Sequence, residues 1–124
     1  DSEQQEPEED GTTTWKHHII DESWSQVHVL SMADLDNDGT EELIAGKCIW
    51  AHNGRDPGAN DPVVVYYYSW DQSTKKFTRH TIAEPGENIA HGRQAGIGDL
   101  NGDGRVDIVS PAENGIWLLM NQGY

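Results

Sequence analysis

The chain has few cysteines, few basic residues and no long apolar run. Its single cysteine, Cys48, excludes an intrachain disulfide and indicates a buried thiol or, alternatively, an intermolecular bridge. No apolar run approaches the roughly 18 residues of a transmembrane helix, so we predict no membrane span. Among 124 residues, 8 Lys and Arg stand against 22 Asp and Glu, a formal net charge of -14. This charge disfavours nucleic acids and anionic membranes as partners and suits the binding of cations.

Part of the acidic charge lies in residues 1–12, which have six carboxylates in the first ten positions and no apolar side chain to bury. We expect an acidic disordered tail or linker there, because such a segment cannot offset the entropy cost of folding. The sequence begins at Asp1 without methionine or a signal peptide, as that of a processed or excised protein does. Its length fits one small domain or part of a larger one.

Two nine-residue segments, 34–42 and 99–107, have the pattern of a calcium-binding loop. Oxygen ligands at alternate positions converge on one cation only where the backbone coils tightly, and the glycine at position 6 allows that coil. We predict side-chain ligands at positions 1, 3, 5 and 9 and a backbone carbonyl at position 7. In the first loop these are Asp34, Asp36, Asp38, Glu42 and the Thr40 carbonyl; in the second they are Asp99, Asn101, Asp103, Asp107 and the Arg105 carbonyl. The sequence therefore predicts two Ca²⁺ sites.

The EF-hand is the motif most easily confused with these loops. An EF-hand needs a bidentate glutamate at position 12 and a helix on each side. Position 12 is Ala45 or Ser110, and the short β-branched runs that follow each loop are typical of strands. Dockerin-type loops are disfavoured on the same grounds. A solvated acidic turn would explain one copy, but two copies in matching context favour metal sites.

The loops resemble those of FG-GAP or VCBS-type β-propeller repeats, the kind also found in integrin α-subunits. The matching segments are residues 33–36 and 98–101, followed by 42–46 and 107–110, and the resemblance covers nearly everything after residue 14. It implies an all-β fold of four-stranded blades in which a calcium loop joins the first two strands. Because loops of this kind suit millimolar calcium, we expect a secreted, extracellular or periplasmic protein.

Internal repetition supports this interpretation, since the loops recur after 65 residues and residues 15–20 match residues 77–82. We predict eight strands, at residues 13–21, 26–33, 42–45, 63–68, 76–82, 91–98, 106–110 and 116–120. They correspond to a spare outer strand (13–21), a first blade (22–82) and a second blade that lacks its outer strand (83–124). Residues 13–124 thus form two four-stranded propeller blades in this prediction.

Two blades cannot close a propeller, which has about four to eight. Either the chain is a fragment that needs missing blades, or several copies complete one another. In the second case residues 15–21 of one copy would pair with residues 116–120 of the next, a heterologous contact that produces a ring or a fibre. We therefore predict a structural or interaction module whose partners are other copies of itself or further blades.

A ligand site is a further hypothesis. Its candidate residues are His28, His52, Asp56, His91, Arg93 and Gln94. The segment around His52 also resembles secreted propellers related to aldos-2-ulose dehydratase, which implies a fragment of a sugar lyase or dehydratase as the alternative function. The chain has no nucleophile motif, no assigned catalytic residue and only two predicted blades, so we expect no catalysis by this chain alone.

Carbohydrate binding without catalysis remains a third alternative, because clustered aromatic rings can stack on sugars. The candidate rings are Tyr66, Tyr67, Tyr68, Trp70 and Trp50. Core packing is the competing explanation for them. Alternation along a strand sends Tyr66 and Tyr68 to one face of the sheet and Tyr67 to the other.

Overall fold

A computed structural model describes residues 13–49 and 54–123. In these ranges the chain forms strands and no α-helix, which confirms the all-β prediction. The seven strands are β1 (Val27–Ala33), β2 (Glu42–Lys47), β3 (Val65–Asp71), β4 (Lys76–Ala83), β5 (Gly96–Gly98), β6 (Asp107–Ala112) and β7 (Gly115–Leu119). Accordingly, the described ranges contain no helix long and apolar enough to cross a membrane. The predicted N-terminal tail, Trp50 and His52 lie outside the described residues.

The strands form two antiparallel sheets, each a meander in which sequence neighbours pair. Sheet 1 has the order β1-β2-β3-β4, and sheet 2 has the order β5-β6-β7. The β3–β4 connection is a short hairpin, where the Asp71 carboxylate accepts hydrogen bonds from the backbone N–H of Ser73 (2.8 Å) and Thr74 (3.1 Å). Each metal-loop segment lies in the same place in its sheet, between the first and second strands.

The two sheets pack face to face through an apolar core. Ile44 of β2 is fully buried and packs with Ile108 of β6. Tyr67 lies on this side of sheet 1, whereas Tyr66 and Tyr68 lie in a separate core cluster on the opposite face. The predicted alternation is therefore confirmed, and Tyr66 and Tyr68 are core residues that are not available to stack on a sugar.

Backbone contact between the sheets depends on Gly46. A Cβ atom at Gly46 would lie 2.2 Å from the Cβ of His91, so no larger residue fits without displacement. The His91 N–H donates to the carbonyl of Lys47 (3.1 Å), and the His91 ring lies 2.5 Å from the Ser110 hydroxyl through Nδ1. His91 thus joins β2 of sheet 1 to β6 of sheet 2.

Residues 13–21 form no strand within the single chain, and the predicted outer strand, which would pair with another copy or a further blade, stays a prediction. A strand requires a hydrogen-bonded neighbour, and none of the seven strands pairs with this segment. Trp15 and Ile19 are consequently 80% and 75% exposed. Whether the segment pairs with another chain is a separate question, taken up below.

The chain docks onto the outer face of sheet 1 directly after this segment. The indole of Trp24 donates to the Tyr68 hydroxyl (2.8 Å), which donates to the carboxylate of Asp21 (2.9 Å). Burial by itself would raise the pKa of Asp21, but hydrogen bonds from Ser23, Tyr68 and Arg79 outweigh it and lower the pKa to about 2. Burial, aided by the Asp21 charge, raises the pKa of Tyr68 to about 12.

Candidate metal centre

The loop between β1 and β2, residues 34–41 together with Glu42, gathers four carboxylates. One oxygen from each of Asp34, Asp36, Asp38 and Glu42 lies within 4.8 Å of the others. The backbone turns sharply enough to do this because Asn37 and Gly39 both have positive φ, 61° and 88°. The predicted side-chain ligands of the first loop are therefore brought together, and such a group can hold a metal ion.

Hydrogen bonds inside the first loop hold these carboxylates in place. The two oxygens of Asp34 accept hydrogen bonds from the backbone N–H of Asp38 (3.1 Å) and Gly39 (2.9 Å). Glu42 accepts one from the N–H of Leu35 (2.7 Å). Each carboxylate oxygen has a second lone pair, so these bonds orient the group and leave it able to bind a cation.

Electrostatics in the first loop favour a cation. Glu42 is only 2% exposed. Burial raises the pKa of Glu42, as do the charges of Asp36, Asp38 and Asp34, whereas the Leu35 hydrogen bond opposes the shift. Burying a carboxylate among like charges is unfavourable unless a positive charge compensates it. A bound cation would supply that compensation.

The second loop, residues 99–107, repeats the same local geometry. Asp99 accepts hydrogen bonds from the N–H of Asp103 (3.2 Å) and Gly104 (2.7 Å), at the positions that Asp38 and Gly39 occupy in the first loop. Gly102 and Gly104 have φ of 75° and 83°. Positive φ thus occurs at positions 4 and 6 of both loops. The sequence analysis predicted a special backbone conformation only at position 6. Asn37 and Gly102, which both tolerate positive φ, indicated the same for position 4.

Ligand chemistry separates the second loop from the first. It has Asn101 where the first loop has a carboxylate, and the Arg105 guanidinium lies 3.6 Å from Asp103. Backbone N–H groups, mainly that of Gly104, lower the pKa of Asp99. Among the described residues, only the first loop forms a group of three or more His, Cys, Asp or Glu side chains close enough to bind one metal.

Asp107, the ninth residue of the second loop, is fully buried. One of its oxygens accepts a hydrogen bond from the N–H of Leu100 and the other accepts one from the N–H of Asn121, both at 2.9 Å. The Leu100 bond is the counterpart of the Leu35–Glu42 bond in the first loop. Asn121 was not among the predicted site residues, because it lies after β7 and far from either loop in sequence.

The two loops touch each other at one end of the packed sheets. The side-chain amide of Asn37 donates to the carbonyl of Gly104 (3.2 Å), and that of Asn121 donates to the carbonyl of Leu35 (2.7 Å). A cleft of about 440 Å³ opens next to them, with Tyr67, Ile82, Leu119, Asp36 and Arg105 among its lining residues.

The other candidate ligand residues lie in different parts of the fold. His28 is exposed on β1, Arg93 pairs with Glu113 (3.0 Å) at the surface, and Gln94 is exposed. Asp56 is half-buried in the turn-rich connection to β3, and His91 is enclosed between the sheets. None of these residues belongs to the carboxylate cluster of the first loop.

No match is found when the chain is compared with protein-family models, with curated protein sequences or with solved structures. The resemblance to propeller repeats therefore rests on the residues quoted above. Since a fold alone does not determine a function, function is argued below from the site.

Proposed function

We propose that the chain is a calcium-binding extracellular repeat module with a structural and interaction role. The observation that carries this proposal is the convergence of four carboxylates of the first loop within 4.8 Å. Carboxylates and a backbone carbonyl are the hard oxygen ligands that Ca²⁺ prefers. The proposed ligands of the first site are Asp34, Asp36, Asp38, Glu42 and the Thr40 carbonyl.

Calcium would act by neutralising clustered charge and stiffening the turn between β1 and β2. The first loop holds its carboxylates close together, which is unfavourable without a cation. A divalent ion removes that repulsion and adds bonds that exist only in the folded state. Loss of the ion should therefore release the turn, and with it the start of β2 at Glu42.

The second loop is proposed as a weaker calcium site. Its hydrogen bonds repeat those of the first loop, which supports the same backbone role. It presents fewer carboxylates, and Arg105 competes for Asp103. The proposed ligands are Asp99, Asn101, Asp103, Asp107 and the Arg105 carbonyl.

Each sheet is proposed to be a propeller blade, with the second sheet one strand short. Sheet 1 has four strands and sheet 2 has three. β4 has no counterpart in sheet 2, and its Ile82 lines the cleft together with Leu119 of β7. Residues 15–20 carry the sequence pattern of β4 but form no strand in this chain. These features support assembly in which residues 13–21 of one copy add to the free edge of β7 in another copy.

The setting implied by this proposal is one with abundant calcium. Loops of the weaker, extracellular kind bind with dissociation constants of about 0.1 to 1 mM. Such sites fill outside the cytosol, so the module is proposed to act as a secreted or periplasmic protein.

Light scattering on the purified chain, first with calcium and then with chelator, tests both parts of this proposal. A mass that is a multiple of the 13.8 kDa chain and falls on chelation is expected. The matched control is a chain lacking residues 13–20, which keeps the Asp21 carboxylate on Tyr68 and should bind calcium by calorimetry but stay monomeric. A calcium-binding monomer in both cases would overturn the assembly and leave the metal sites; no calcium binding would overturn the metal sites.

A further inference from the structure

We propose that Asn121 couples the two metal loops, so that filling either loop raises the affinity of the other for calcium. This inference rests on the proposed function and concerns the regulation of the same sites. Asn121 is a positioning residue in this proposal, since it is not expected to touch either ion. It follows β7 and is half-buried between the loops.

A continuous chain of three hydrogen bonds connects the ninth-position ligands of the two loops. Asp107 of the second loop accepts from the backbone N–H of Asn121 (2.9 Å). The side chain of Asn121 donates to the carbonyl of Leu35 (2.7 Å), and the N–H of Leu35 donates to Glu42 of the first loop (2.7 Å). The bonds are joined through the covalent frames of Asn121 and Leu35, so these two residues connect the ninth-position ligand of one loop to that of the other.

The ion in one loop should prepare the other loop because both share this ordered segment. An ion bound by Asp107 would restrict the carboxylate that holds the backbone of Asn121. The Asn121 amide would then restrict the backbone at Leu35 through its carbonyl, and the N–H of Leu35 in turn positions Glu42. Binding of the first ion thus orders part of the second loop in advance and lowers the entropy cost of binding the second ion. The result is positive coupling without a large structural change.

The direct contact between the loops acts in the same sense. The side-chain amide of Asn37 donates to the carbonyl of Gly104 (3.2 Å), and both residues lie inside the metal loops. This bond is longer than the Asn121 bond and lies at the exposed surface, so we assign the main part of the coupling to Asn121.

Repulsion between two bound cations acts in the opposite sense. It lowers the affinity of the second site, but salt screens it over about 8 Å at physiological ionic strength. Coupling through hydrogen bonds and backbone order does not require low salt. The proposed coupling should therefore persist, or grow, when the salt concentration is raised.

Calcium titration calorimetry on single-site variants measures the coupling. Asp103→Ala disables the second loop and reports the affinity of the first alone, and Asp36→Ala does the converse. We expect each loop to bind calcium about fivefold or more tightly in the wild-type chain than in the variant with the other loop disabled. Linkage requires the same factor in both directions, which makes the pair of variants an internal check.

The same pair of single-site variants, made in an Asn121→Ala background, tests whether Asn121 carries the coupling. In this background, the calcium affinity of a loop with the other loop intact, divided by its affinity with the other loop disabled, should fall towards one. Each loop should still bind calcium. Asn114→Ala is the matched control, because Asn114 also donates its side-chain amide to a backbone carbonyl at 2.7 Å, that of Asn88, away from both loops. That variant should leave the ratio unchanged.

Each outcome decides between the proposals. A ratio of one in the wild-type background overturns the coupling and leaves the calcium sites, whereas absence of calcium binding overturns both. A ratio that survives Asn121→Ala overturns the role of Asn121. Should Asn121→Ala not fold, Asn121→Ser removes the same amide donor with a smaller change in polarity, and the wild-type ratio still tests the coupling.

Discussion

The loops at residues 34–42 and 99–107 share a backbone but differ in charge. In both loops the first-position aspartate accepts hydrogen bonds from two backbone N–H groups downstream, and both loops have positive φ at positions 4 and 6. The first loop gathers four carboxylates within 4.8 Å, whereas the second has Asn101 and Arg105 among its nine residues. The two loops therefore share backbone features but differ both in the number of their carboxylates and in how closely these carboxylates converge.

This difference indicates how the chain sets the strength of a metal site. The shape depends on local hydrogen bonds and on residues that tolerate positive φ, such as Gly39 and Gly104. The charge depends on which acids stand at the alternate positions. Substitutions at those positions should change affinity and leave the turn intact, which makes the comparison between the loops testable.

Removing a carboxylate from the first loop should have the largest effect. At calcium concentrations near 100 times the dissociation constant, a bound ion stabilises a protein by about 2.7 kcal/mol. Asp36→Ala should therefore lower the melting temperature in calcium by on the order of 10 °C, and Asp103→Ala should lower it less. Calorimetric melting in calcium and in chelator measures both. An equal loss in chelator would mean that Asp36 acts on the fold and not on an ion.

Adding a carboxylate to the second loop should have the next largest effect. Asn101→Asp gives the second loop the third-position acid that the first loop already has, and we expect its calcium affinity to rise about tenfold, because affinity follows the charge of the ligands. Calorimetry in an Asp36→Ala background isolates this site. The reciprocal change, Asp36→Asn in an Asp103→Ala background, should weaken the first loop by a similar factor. An unchanged affinity after either change would mean that charge does not distinguish the loops.

The residues that act locally in these loops were predictable, and those that act across the fold were not. The four carboxylates that converge in the first loop were predicted from spacing alone, because coordination geometry dictates alternate positions around a tight turn; the ligands of the second loop stay a prediction. Asn121 was missed because its partners, Asp107 and Leu35, are 14 and 86 residues away. Only the packing of the sheets brings these residues together.

Strand prediction also succeeded where the signal is local and failed where the structure depends on distant contacts. Six of the seven strands were predicted close to their observed bounds, because alternation and β-branched or aromatic residues such as Tyr66–Tyr68 are local signals, whereas the strand predicted at residues 91–98 is confined to Gly96–Gly98. Residues 13–21 have equally strong local signals, but none of the seven strands pairs with them, so an outer strand there stays a prediction. The burial of His91 was also missed. Its signal was Gly46, a glycine inside β2 that marks a close approach.

Acid should weaken the contact that His91 makes between the two sheets, and the effect should be the same whether or not the loops hold calcium. Burial lowers the pKa of His91, so the folded protein favours the neutral ring. The unfolded chain binds the proton more readily, and stability is therefore full above about pH 6.5 and falls as the pH drops below it. The slope cannot exceed about 1.4 kcal/mol per pH unit for one proton.

Denaturant unfolding between pH 7.5 and 5.5 measures this effect. His91→Gln should reduce the slope, while His28→Gln, at an exposed position on β1, should retain it. The reduction should be the same with calcium and with chelator, because His91 lies between Lys47 and Ser110, away from both loops. A reduction found only with calcium would mean that the His91 contact between the sheets depends on the state of the loops.

Removing the competing cation from the second loop should have the smallest effect. The guanidinium of Arg105 lies 3.6 Å from Asp103, and both side chains are partly exposed. Exposed pairs of this kind are worth about 0.2 to 1 kcal/mol. Arg105→Gln should therefore raise the calcium affinity of the second loop about twofold to threefold at low salt, and Arg105→Lys should change it less because the positive charge is kept. The gain should shrink as salt is added, since screening weakens a surface charge pair. A gain that is independent of salt would mean that Arg105 acts by shape and not by charge.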